Sequence, residues 1–130
     1  MIDMTKVAVK GDRIPKPIGP YSPAVKVGSF VFCAGQVGRN PATGEIGTTI
    51  EEQTRQALVN LQSILEAAGA SLDDAVKTTV FMADMSEFSR MNSEYAKFFK
   101  DDPPARSTVG VALPQGMKVE IELVAHVRAI

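Results

Sequence analysis

Residues 48–69 constrain the fold more than any other stretch. Thr48-x-x-Glu51 and Thr49-x-x-Glu52 both fit a capping box, in which a hydroxyl and a carboxylate satisfy the first free amides of a helix. From there Ile50, Ala57, Leu58, Leu61, Ile64, Leu65 and Ala68 fall on one stripe, and Gly69 ends the helix. A helix that is apolar along one side has to be laid on something, and the rest of the chain offers strands.

Thr5-Lys6-Val7-Ala8-Val9 alternates and predicts a short strand. Residues 10–24 are irregular, punctuated by Gly11, Pro15, Pro17, Gly19, Pro20 and Pro23, with Tyr21 clamped between prolines. Tyr21 can be read as a ring closing the edge of the core or as a pocket wall. Ala24–Val27 and Phe30–Ala34 predict a hairpin about Gly28-Ser29. The second of these strands is apolar on both faces, so both should be buried. Residues 35–44 read as a loop, whose Gly35-x-x-Gly38 pair lacks the lysine and hydroxyl of a phosphate loop.

After a capped turn at Ser71-Leu72-Asp73-Asp74, the β-branched run 76–83 predicts a strand. Asp84-x-x-Glu87 then starts a second helix with Phe88, Met91, Tyr95, Phe98 and Phe99 at helical spacing. Asn92 interrupts that stripe and, on an apolar face, needs a hydrogen-bond partner or a wet cavity. Pro103-Pro104 stiffens the entry to a strand in which Arg106, Thr108, Gly110 and Ala112 share one face. After a turn at 113–117, Val119, Ile121, Leu123, Ala125 and Val127 oppose Lys118, Glu120, Glu122, His126 and Arg128.

The order β-β-β-α-β-α-β-β is α+β: one sheet with two helices on one side. At 130 residues, with 45% hydrophobic and 22% charged residues, the chain suits one soluble globular domain, 1–130. The odd-numbered faces of the last two strands are expected against the helices. The even-numbered faces, carrying Arg106, Thr108, Glu120, Glu122 and His126, then lie on the helix-free side beside the apolar second strand. Such a mixture marks an interface, which predicts a closed homo-oligomer packed through the helix-free faces.

Several chemistries lack their residues. One His and one Cys leave no structural zinc site, and Cys33, inside an apolar run, reads as a small buried hydrophobe. A Ser-His-Asp triad would have to use His126, which reads better as a partly exposed sheet histidine, and no dinucleotide fingerprint follows a strand. Fourteen Lys and Arg against fifteen Asp and Glu give no basic stripe, which counts against nucleic acid. No stretch approaches the length of a membrane span, and no apolar signal segment opens the chain, so a cytoplasmic location is the default. A cofactor-free site remains. Arg106 offers a planar fork for a carboxylate, and Glu120 an acceptor able to orient or deprotonate water. In the simplest hairpin register Gly110 faces Glu120, which leaves Arg106 about 13 Å away at ~3.3 Å per residue. A pocket between subunits closes that gap; a plain interface ion pair is the simpler alternative.

The sequence resembles the RidA/YjgF reactive-intermediate deaminases. The resemblance runs through Ile18-Gly19-Pro20-Tyr21, Ala34-Gly35-Gln36-Val37, Asn40-Pro41-Ala42-Thr43-Gly44-Glu45, Glu66-Ala67-Ala68-Gly69, Val76-Lys77-Thr78-Thr79-Val80-Phe81, Pro104-Ala105-Arg106-Ser107 and Val119-Glu120-Ile121-Glu122. It implies a chorismate-mutase-like fold, one mixed sheet with two helices on one face, and a homotrimer with ligand clefts between subunits. It also implies cofactor-free hydrolysis of 2-imino or enamine acids, such as 2-iminobutanoate and 2-iminopropanoate, to 2-keto acids and ammonia. By the same resemblance Arg106 grips the substrate carboxylate and Glu120 positions the attacking water. Tyr21, Gly35, Phe88 and Asn92 line the cleft. Ala34 stands where some members have serine, and Thr108 where some have cysteine. Thr108 can still donate a hydrogen bond and Ala34 cannot. The competing readings are a keto-acid-binding regulatory or chaperone-like protein, an endoribonuclease or translation inhibitor, and a deaminase of another enamine acid such as an aminoacrylate.

Overall fold

The computed structural model describes residues 3–128, so the expected domain of 1–130 has two residues at each end outside the described residues. Six strands form one mixed sheet: β1 (Val7–Ala8), β2 (Ala24–Val27), β3 (Phe30–Val37), β4 (Ala75–Met82), β5 (Ala105–Gly110) and β6 (Val119–His126). Their spatial order is β1-β2-β3-β6-β4-β5, with β4 and β5 parallel and every other pair antiparallel. Helices α1 (Ile50–Ala67) and α2 (Phe88–Tyr95) cover one face.

The secure helix forms as its sequence dictates. The Glu52 amide donates to Thr49 Oγ1 at 3.1 Å, and the Glu52 carboxylate accepts from the Thr48 amide at 3.1 Å. The cap at Thr49 therefore forms, with its carboxylate reaching one residue farther back than the box predicts. Gly69, at φ +82°, ends the helix. All seven stripe residues of α1 are buried, against Val31, Val80, Val119, Ile121 and Ala125 of the sheet. The β2–β3 hairpin turns at Gly28, whose φ of +58° suits glycine at the first position of a two-residue loop.

Three expectations are corrected. Strand β3 runs on to Val37, through an irregularity between Cys33 and Gln36, where a loop was expected. Within the single chain one of its faces is covered: Val31 and Cys33 are buried, whereas Phe30 and Phe32, 41% and 47% exposed, lie on the open side where the oligomer is expected to pack. Strands β5 and β6 are not a hairpin. Strand β4 lies between them, so Glu120 faces Phe81, and Gly110 faces Met82. Finally, β5 sits the other way up. Its Arg106 and Thr108 are level with Thr78 and Val80, buried residues of the helix-covered face, and Val109 is exposed. A parallel neighbour shares facing with its partner, so the burial of β4 decides the orientation of β5.

Candidate active site

Arg106 leaves β5 toward α2. Its guanidinium carbon lies 4.7 Å from the centre of the Tyr95 ring and 5.7 Å from that of Phe88, two residues seven apart on α2 and so on one helix face. Among the described residues no carboxylate lies within ion-pair distance of Arg106. Tyr95 is itself fixed by a buried 2.7 Å hydrogen bond to Thr78 Oγ1. Burial pushes its phenol up, against the opposing pull of Thr78 and of the Arg106 charge, so the ring stays neutral. Two residues along β5, the buried hydroxyl oxygen of Thr108 has no hydrogen-bond partner. A planar cation held on aromatic faces, beside an unused hydroxyl, has the donor chemistry that suits an anionic ligand.

Glu120 occupies the opposite face. A methyl group built on Gly35 would lie 2.8 Å from the Glu120 carboxyl carbon, so the carboxylate rests directly on the bare backbone of β3. Burial, and then the charge of Glu122, raise its pKa above the ordinary carboxylate value. Glu120 and Gly35 line a cleft of about 730 Å³ together with Tyr21, Arg13 and Arg39. The Tyr21 hydroxyl accepts a long 3.4 Å bond from the Ile18 amide, and its ring is 48% exposed, so it is a cleft wall rather than a closure of the core. Ala34 is half-buried beside Gly35.

Within one chain the candidate residues thus fall into two groups, two candidate half-sites. Arg106, Thr108 and Phe88 gather on the helix side, and Tyr21, Gly35 and Glu120 on the other. Asn92 is exposed and does not interrupt a buried stripe; the buried polar residue of α2 is Glu94, bonded to Lys97 at 3.1 Å. Burial drives the Cys33 thiol up to about 12, so it stays protonated and unreactive. His126 is exposed, 3.0 Å from Ser29 Oγ and edge-on to Phe30, away from both half-sites. Among the described residues no three His, Cys, Asp or Glu side chains are grouped to hold a metal.

Comparison with known proteins decides the kinship. A model of the family described as Endoribonuclease L-PSP matches residues 11–127. A RutC family protein of Pyrococcus horikoshii is 49% identical over 123 residues, spanning 93% of this chain and 98% of that one. The structure of the Escherichia coli YjgF gene product superposes with a TM-score of 0.89 at 41% identity, covering 94% and 99% of the two chains. The chain belongs to the RidA/YjgF family. Two other RidA/YjgF relatives carry more specific descriptions. Reactive Intermediate Deaminase A, chloroplastic, of Arabidopsis thaliana is 43% identical over 122 residues, 92% of this chain and 65% of that one. Escherichia coli TdcF, solved with bound serine, superposes with a TM-score of 0.88 at 42% identity over 95% and 99% of the chains.

Two residues of this RidA/YjgF chain that shape the cleft escaped the sequence reading. Gln53, 1% exposed on the covered side of α1, donates to Gly47 O at 2.7 Å and Gly116 O at 2.9 Å, and accepts from the Lys118 amide at 2.8 Å. Asn60, seven residues on, donates to Arg39 O at 2.9 Å. One helix therefore pins two of the loops that border the Glu120 cleft. The available signal was a pair of amides two turns apart on an otherwise apolar stripe.

Proposed function

We propose that the protein hydrolyses 2-imino and enamine acids, 2-iminobutanoate and 2-iminopropanoate among them, to 2-keto acids and ammonia without a cofactor. Water adds across the C=N bond, the C–N bond of the resulting carbinolamine breaks, and the nitrogen leaves as ammonia. An imine is already electrophilic, so orientation, a positioned water and charge complementarity suffice. The observation that carries the reading is the half-buried Arg106, held by Tyr95 and Phe88 with no carboxylate partner among the described residues. Its fork suits the α-carboxylate of such a substrate. The deaminase description of one relative supports it, as does the serine held by another, since serine carries the same carboxylate. Glu120 activates the water, and its raised pKa suits a proton acceptor.

The two half-sites face opposite ways, so this reading needs a second chain. The open sheet face bears Glu120 at one end of the β3–β6 pair and exposed Phe30 and Phe32 toward the other. A homotrimer packed through that face would bring Arg106 of one chain to the Glu120 cleft of the next. Phe88, Asn92 and Thr108 would then line the cleft from one side, and Tyr21, Ala34 and Gly35 from the other. A cytoplasmic location belongs to the same reading. The test is keto-acid release from imines generated in situ by a threonine dehydratase. Arg106→Ala should abolish the acceleration while the oligomer persists, and retained turnover would refute the assignment. Arg106→Lys should be nearly as damaging, because the fork is lost. The family model's description makes RNA cleavage the rival: cleavage that survives purification and vanishes in Arg106→Ala would favour it.

A further inference from the structure

Six arginines are described, and they divide sharply. Arg55, Arg90 and Arg128 each meet a carboxylate: Glu94 at 3.8 Å, Glu51 at 2.8 Å and Asp74 at 3.3 Å. Among the described residues Arg13, Arg39 and Arg106 meet none. Arg106 is accounted for by the substrate α-carboxylate. Arg13 and Arg39 both line the Glu120 cleft, where the other ionised groups are Lys16, Asp12 and Glu120 itself. With all five charged, the cleft carries a surplus of positive charge in a chain whose net charge is −1.

Arg39 has an exposed side chain on an anchored backbone. Its carbonyl is held by buried Asn60, one Nη1 proton goes to Gly44 O at 3.3 Å, and the following turn is closed by Asn40 Oδ1 on the Ala42 amide at 2.9 Å. The remaining guanidinium donors have no acceptor among the described residues. Arg13 precedes Ile14, which is anchored in the core. The cleft of a single chain, about 730 Å³ before a second chain's Arg106 enters it, lies within the range of about 300–1,000 Å³ typical of ligand pockets.

We propose that this cleft takes 2-imino acids with an anionic side chain, 2-imino dicarboxylates above all. Arg13 and Arg39 hold the distal anion, and Arg106 of a second chain holds the α-carboxylate. The inference rests on the deaminase reading of the same site and names its substrate class. The chemistry is unchanged: water adds to the imine carbon, ammonia departs, and the distal carboxylate only binds.

The test uses the whole assembled protein. 2-Iminoglutarate and 2-iminobutanoate are generated in situ by amino-acid oxidases with catalase present, and the ratio of their kcat/KM values is measured. The expected ratio favours the dicarboxylate by about tenfold or more, the scale of a charge-assisted hydrogen bond. It should fall toward unity in R13Q/R39Q and with rising salt in the unaltered protein. Calorimetric titration with 2-oxoglutarate and 2-oxobutanoate should give the same order of affinity. Turnover of both imines with a ratio near one, or a ratio unmoved by both R13Q/R39Q and salt, overturns the inference and leaves the deaminase reading standing. Acceleration of neither imine, with no preferential binding of 2-oxoglutarate, removes both.

Discussion

Gly35 has no room for a methyl group, because Glu120 lies where it would go. Gly35→Ala should leave the fold intact and displace the carboxylate. In the proposed deaminase a shift of about 1 Å in a catalytic group costs ~10²-fold, so kcat should fall by about that factor with the thermal midpoint nearly unchanged. Glu120 also makes a pH prediction. Its carboxyl is raised in the folded chain, mainly by burial, so at pH values just above the ordinary carboxylate range the folded state holds a proton that the unfolded state has lost. Folding stability from this group is therefore highest in acid and declines as pH rises through the raised value. In the proposed deaminase activity runs the other way, since Glu120 as base must be deprotonated, and the acid limb of the kcat profile should sit above the ordinary glutamate range. Glu120→Gln should remove that limb, lower kcat by ~10²-fold or more, and raise the urea midpoint at neutral pH.

At the scale of elements, α1 both fills the core and shapes the cleft. Gln53→Ala would leave Gly47 O, Gly116 O and the Lys118 amide without their partner, at roughly 1 kcal/mol each. Chemical denaturation should show a loss of about 2–3 kcal/mol, and KM for any cleft ligand should rise as the loops loosen. Lys26 on β2 donates to Ala68 O at 3.2 Å, closing the C-terminal end of the same helix, so Lys26→Met should cost about 0.5–1 kcal/mol. The sequence made α1 readable because its caps and stripe are local: a period, two threonines and a glycine. The facing of strand β5 is not legible in the sequence because its signal is not local. Its alternation is the same whether it pairs with β6 or, through α2, with β4, and only the burial of Thr78 and Val80 decides which face turns inward. Likewise residue type and family resemblance single out Arg106 and Glu120 as candidates, but their placement on opposite faces depends on strand order. Asn92 is exposed within one chain because α2 ends at Tyr95, too short for a polar residue on its edge to be enclosed.

For the whole molecule, the exposed Phe30 and Phe32 are the measurable handle. Phe32→Glu should convert the proposed oligomer to a monomer in light scattering, retain the circular dichroism of the folded chain, and lose imine hydrolysis. The separation of Arg106 from Glu120 has a genetic counterpart. A chain lacking the arginine keeps a sound Glu120 surface, and a chain lacking the glutamate keeps a sound Arg106 surface. Neither homo-oligomer would have a working cleft, yet random assembly of the two in equal amounts would restore roughly a quarter of the clefts. Two null alleles, R106A and E120Q, should therefore complement when co-expressed, whereas two alleles altered on the same surface should not.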